Sequence, residues 1–151
     1  VPRRTSLILA LLALTVSGCG FGAVSIEPHT AEAGSEETCT ALLKDLPEVV
    51  SDAVRRDVAP EAALATAWGQ PPIVLRCGVS MPSAYRPDTQ LIDVGGVGWF
   101  AEEGDGGVFF TATDREVLVE VAVPDDYAPA GFVLDDISPT VASHIPERGL
   151  R

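Results

Sequence analysis

Residues 92–123 read IDVGGVGWFAEEGDGGVFFTATDREVLVEVAV, and the turn chemistry inside this stretch decides the fold. Gly95-Gly96 and Asp105-Gly106 suit two-residue hairpins whose central positions need positive φ, and Asp114-Arg115 is a weaker third turn of the same kind. Three hairpins make a four-strand meander. In the register they set, Val94 faces Val97, Ile92 faces Trp99, Trp99 faces Ala112 and Ala101 faces Phe110. Val108 and Phe110 then face Val121 and Val119, and Ala112 meets Val117. One face is apolar across all four strands, and a one-residue slip in any hairpin would break it.

The opposite face carries Asp93, Phe100, Glu102, Phe109, Thr111, Leu118 and Glu120, a mixture that asks for a partial cover. Two covers are open. Phe132, Val133, Leu134 and Ile137 could fold back as a short helix over Phe100 and Leu118. Alternatively, Phe100, Phe109 and Leu118 form a surface for a partner, because exposed apolar area of a few hundred Å² is uncommon on monomers without a use. Past Pro139 the tail is expected to fray, with His144 solvated.

Upstream, Ile73, Leu75, Cys77 and Val79 alternate with Val74, Arg76 and Gly78, which is a strand pattern. Before it, Ser35 precedes Glu36 and Glu37, and Cys39, Leu42, Leu43 and Leu46 recur at helical spacing, so an amphipathic helix is expected there. Pro47 stops it near Asp45. Pro47 to Val58 is expected as a second, weaker helix, and Pro60 to Trp68 as a third, closed by Gly69. The fold class is therefore α+β, with N-terminal amphipathic helices packed on a mostly antiparallel sheet.

The N-terminus reads as an export address. Arg3 and Arg4 precede a ten-residue apolar stretch, Leu7 to Val16, and small residues follow before Cys19. Ten helical residues cover only about 15 Å, roughly half a hydrocarbon core, so a signal peptide over residues 1–18 is expected rather than a permanent span. Val16-Ser17-Gly18-Cys19 resembles the lipobox of bacterial lipoproteins, which implies acylation of Cys19 and a bilayer as partner; an ordinary signal peptide would instead release the protein. Gly20 to Ser35 lacks an apolar period, so residues 19–35 are expected to be a flexible tether with His29 solvated in it. Losing residues 1–18 takes Arg3 and Arg4 away, and the formal charge falls by two, from −12 to −14. Such a chain excludes a nucleic-acid binder as the leading idea and favours a cationic or neutral partner.

With Cys19 acylated, Cys39 and Cys77 make an even pair in an exported domain, which points to a disulfide; two buried thiols are the alternative. Both lie on the apolar faces of their elements, so the bond would clamp the first helix to the sheet. Closing a loop of about 40 residues is worth roughly 4 kcal/mol in the chain-entropy model.

The blocks Trp68-Gly69-Gln70-Pro71-Pro72-Ile73-Val74-Leu75-Arg76-Cys77-Gly78-Val79, Val97-Gly98-Trp99-Phe100, Val119-Glu120-Val121-Ala122-Val123-Pro124 and Tyr127-Ala128-Pro129 resemble an actinobacterial domain-of-unknown-function family of small exported or membrane-anchored proteins. The resemblance runs from about Cys39 to Leu134. It implies an envelope location and no activity.

Candidate chemistry is sparse. Arg76 could grip a carboxylate or phosphate through parallel hydrogen bonds, or pair internally with Asp93 or Glu120. Trp68 and Trp99 could stack on a ligand, but Trp99 falls on the apolar face and reads as core. Glu102 and Glu120 both lie opposite Phe109 in the expected register, roughly 9.5 Å apart. That is the upper end of the spacing of about 6.5–9.5 Å used by inverting glycoside hydrolases. The two histidines lie far apart, no cysteine pair has metal-ligand spacing, and no glycine-rich loop joins a strand to a helix, so neither metal nor cofactor is expected. The expected organisation is a signal peptide, a tether, one globular domain over residues 36–138 and a frayed tail over 139–151. The expected role is a membrane-tethered extracytoplasmic lipoprotein that binds an envelope protein or small ligand. A surface hydrolase and a purely structural component are the alternatives.

Overall fold

A computed structural model describes residues 22–149; the expected signal peptide and Cys19 lie outside them. The meander is present as β7 (Ile92–Val94), β8 (Val97–Gly104), β9 (Gly107–Ala112) and β10 (Val119–Pro124). Gly95 and Gly96 both take positive φ, and the pairs Val94 with Val97, Ile92 with Trp99, Trp99 with Ala112 and Ala101 with Phe110 are as expected. The third connection differs. Phe110 pairs with Val121 and Val108 with Val123, two residues away from the expected register. A slip of two preserves which side chains share a face, so alternation cannot detect it. The Asp114-Arg115 hairpin is replaced by a longer loop from Thr113 to Leu118, held by hydrogen bonds to Gly98 and to the C-terminal segment.

Strand β6 (Ile73–Cys77) joins the meander by pairing with β10, and β5 (Ala65–Trp68), β3 (Ala53–Arg56) and β2 (Val49–Val50) extend it to an eight-stranded antiparallel sheet ordered β2-β3-β5-β6-β10-β9-β8-β7. The expected second and third helices are thus strands. Ser51 and Asp52 both take positive φ and close a two-residue hairpin, which leaves the β-branched Val49, Val50 and Val54 paired across it. Ala65 to Trp68 is a central strand buried on both faces, so its tertiary pairing overrides the helical preference of its alanines.

Helix α1 (Glu36–Asp45) forms where expected, although the Ser35 hydroxyl donates to the Glu32 carbonyl instead of capping the helix. It packs on the sheet face bearing Trp68, Leu75, Val121 and Trp99, and Cys39 is disulfide-bonded to Cys77 on β6 with Cα atoms 5.6 Å apart. Helix α2 (Gly131–His144) covers the same apolar face, not Phe100 and Leu118. Val133, Leu134, Ile137 and Val141 are wholly buried, and Trp99 Nε1 donates to Ser138 Oγ at 3.0 Å. Pro139 sits inside α2. The carbonyl it deprives of a donor belongs to Asp135 on the exposed side, where water can serve it. The expected fraying past Pro139 does not occur through residue 149: Ile145 is buried, His144 Nε2 lies 3.0 Å from Asp45 Oδ2, and Glu147 bridges to Arg115.

The other sheet face has a different cover. Residues 22–35, expected as tether, lie along it: β1 (Val24–Ser25) runs parallel to β4 (Val58–Ala59), and Val24 and Ile26 pack on Ala65 and Ala67. His29 Nε2 donates to the Cys77 carbonyl at 2.9 Å. Gly78 lets this segment approach, since a Cβ there would stand 2.7 Å from Ser35 Oγ at a φ of +78°. Val24 and Ile26 supply only two apolar residues at strand spacing, too short a pattern to stand out from the surrounding small and polar residues.

Candidate functional site

The outer sheet face is a cross-strand row: Ala65, Arg76, Glu120, Thr111 and Phe100 lie opposite one another in turn. Arg76 donates to Glu120 Oε1 from Nε at 3.0 Å and from Nη2 at 2.5 Å, with both side chains partly buried. It is the internal ion pair anticipated from sequence. Phe100 and Leu118 are buried, and only Phe109, at 38% exposure, remains open among the apolar residues expected on a partner surface. The cover over Phe100 comes from the loop between β6 and β7. Tyr85 meets Phe100 edge to face, with ring centroids 5.5 Å apart.

Glu102 and Glu120 are not a pair. Glu102 faces Phe109 whereas Glu120 faces Thr111, and one Glu120 oxygen is committed to Arg76. The hydrolase geometry depended on the register that the two-residue slip removes. Trp99 and Trp68 are both core residues, Trp68 donating from Nε1 to the Pro47 carbonyl at 2.9 Å.

Beside Tyr85 the loop cover leaves a cleft of about 1010 Å³ walled by Tyr85, Leu91, Thr113, Asp114, Glu116 and Arg148. Its far wall is a clasp between the β9–β10 loop and the C-terminal segment. Arg148 N–H donates to the Asp114 carbonyl at 2.7 Å, and Glu116 N–H to the Pro146 carbonyl at 3.0 Å. Behind the clasp lies Arg115, 4% exposed, which donates to the carbonyls of Ile145 and Gly96 and stands 3.3 Å from Asp114 Oδ1. Asp114 Oδ2 accepts the Gly98 N–H at 2.8 Å, and Gly98 has no room for a side chain, because a Cβ would meet Leu91 Cδ1 at 2.8 Å. Asp114 therefore joins three parts of the chain while forming the cleft wall.

Thr113 is 3% exposed, and its Oγ1 has no hydrogen-bond partner among the described residues. A hydroxyl at the wall of an open cleft with no such partner is available to water or to a polar group of a ligand entering the cleft. The cleft thus combines an aromatic and an aliphatic wall with two carboxylates, one guanidinium and a hydroxyl lacking a partner. Such a set suits a small ligand or peptide side chain with an apolar body and a cationic or hydrogen-bonding group. Sequence reading missed this site. Its walls come from residues 85–91, 113–116 and 146–149, and only the fold brings them together.

A second hollow of about 750 Å³ lies at the β3 end, lined in part by Val54, Arg55, Arg56, Gln70 and Tyr127. Its arginines serve the fold. Arg55 donates to the carbonyls of Leu43 and Leu46 at the end of α1, and Arg56 to the Gly69 and Gly22 carbonyls. No cluster of three or more His, Cys, Asp or Glu able to hold a metal occurs among the described residues, and no helix there is long and apolar enough to cross a membrane.

A family model described as a protein of unknown function, DUF3515, matches residues 5–150. The chain belongs to the DUF3515 family. No curated protein and no solved structure matches it. In this DUF3515 member the Arg76–Glu120 pair is consumed internally, whereas the cleft beside Tyr85 is open.

Proposed function

We propose that the protein is a membrane-tethered extracytoplasmic lipoprotein whose domain binds a cell-envelope partner, with the Tyr85–Thr113–Glu116 cleft as the ligand site. The observation that carries the binding role is this cleft, walled by an aromatic ring and two carboxylates and flanked by a buried hydroxyl without a partner. Asp114 is committed to Gly98 and Arg115, so Glu116 is the carboxylate left for a cationic or donor group of the ligand, with Arg148 beside it for an acceptor group. The compartment is supported by the Cys39–Cys77 disulfide, a bond that persists in oxidising environments. It is supported as well by the lipobox-like Val16-Ser17-Gly18-Cys19 and by the resemblance to an actinobacterial family of exported or anchored proteins.

Photo-crosslinking from position 116 in intact cells tests the binding role. The expected result is a discrete adduct that is lost in Tyr85→Ala while the variant still unfolds in one cooperative transition; an adduct set unchanged by Tyr85→Ala would overturn the assignment of the site. Replacing Cys19 by Ala and fractionating cells tests the anchor. The expected result is transfer from the membrane to the soluble fraction, and unchanged membrane association would remove the lipoprotein reading.

A further inference from the structure

The point at which the chain enters the fold fixes which surface lies nearest its anchor. The Gly22 carbonyl accepts from Arg56 Nη2 at 2.6 Å, and the same guanidinium holds the Gly69 carbonyl and Gln70 Oε1. Two residues later, Val24 N–H donates to the Asp57 carbonyl at 2.8 Å. Only Gly20 and Phe21 separate Cys19 from Gly22. Three Cα steps span at most ~11 Å even when fully extended, so an acyl-bearing Cys19 keeps this corner of the sheet against the bilayer.

That corner carries an apolar pair with no cover among the described residues. Val54 is 64% exposed and its cross-strand partner Val49 is 49% exposed. Side chains alternate along β3, so Val54 projects on the same face as Arg56, about 7 Å along the strand from the residue that fastens Gly22. Asp52 and Asp57 offset the formal charges of Arg55 and Arg56, so this corner has no net charge to draw it to anionic headgroups, and a short covalent anchor is what would hold it at a membrane.

We propose that Val49 and Val54 form the surface on which the anchored domain rests, seated at the boundary between headgroups and acyl chains of the outer leaflet. The proposal deepens the lipoprotein reading and rests on it. It turns an unspecific tether into a fixed orientation, with the β7 edge and the Tyr85 cleft directed away from the membrane. Seven strand spacings separate β2 from β7, roughly 34 Å, so the two edges are readily told apart.

The test uses the full chain expressed in cells that acylate it, with single cysteines introduced as Val54→Cys, Val49→Cys or Ile92→Cys. Cys39 and Cys77 are bonded to each other and buried, and an acylated Cys19 does not react, so only the introduced thiol takes an environment-sensitive fluorophore. In isolated membranes containing nitroxide-labelled lipid, quenching at positions 49 and 54 is expected to exceed that at position 92 severalfold. Equal quenching at the three positions in protein that sediments with membranes would overturn the orientation and leave the anchor standing. Protein that stays soluble would overturn both.

Discussion

The two faces of the one sheet are covered in different ways. Its inner face is closed by two helices, a disulfide and a continuous apolar cluster running from Leu42 through Leu75 and Trp99 to Val141. Its outer face is covered by residues 22–35 and 79–91, which contain no helix and make their contacts one at a time, through strand-end hydrogen bonds, the Tyr85–Phe100 edge contact and a few apolar residues. Helices present a regular apolar stripe that fills the space above a sheet, whereas loops bridge it unevenly. The difference explains why the large cleft and the unpaired Thr113 hydroxyl lie on the loop-covered side.

The largest effect should come from the inner face. Replacing Cys39 and Cys77 together by Ala removes a constraint worth about 4 kcal/mol, which denaturant unfolding should register as a large fall in the midpoint. Leu134→Ala on the same face should cost about 3 kcal/mol, within the range of 2–5 for buried Leu truncations, without changing adducts formed from the cleft. On the outer face, Arg76→Ala leaves a partly buried Glu120 without its partner and should cost about 1–2 kcal/mol, and a double-mutant cycle with Glu120→Gln isolates the coupling. Val54→Ser should change stability by no more than ~0.5 kcal/mol, since the side chain is exposed. Hydrogen exchange sharpens the contrast further: amides of residues 24–26 should open at lower free energy than those of β6 and β10. Equal protection of the two groups would break the comparison.

Much of the inner face was legible in the sequence and little of the outer face was. Gly95-Gly96 and Asp105-Gly106 announced two hairpins and their register. The helical spacing of Cys39 and Leu42 met the strand spacing of Leu75 and Cys77 at the disulfide. The β9–β10 pairing was expected two residues away because a period of two is blind to a shift of two. Ser51-Asp52 concealed a hairpin because neither residue is glycine, and Ala65 to Trp68 concealed a strand behind alanines. Helix α2 was legible as an apolar segment, but its face was not: Phe100 and Leu118 asked for a cover that Tyr85 and its loop supply for Phe100. The cleft had no local signature at all. Arg76 was the exception on this face, since a strongly acidic chain with an arginine in mid-strand offers it many carboxylates, and Glu120 is the one across the ladder.

The central claim is that the protein is an exported, acylated and internally bonded molecule, and the intact mass of the native protein extracted from membranes tests it most directly. The expected result is a chain beginning at Cys19 that carries lipid and that gains, on reduction, only the hydrogens that open one disulfide. A mass corresponding to an unprocessed chain with Cys39 and Cys77 reduced before any reductant is added would contradict it.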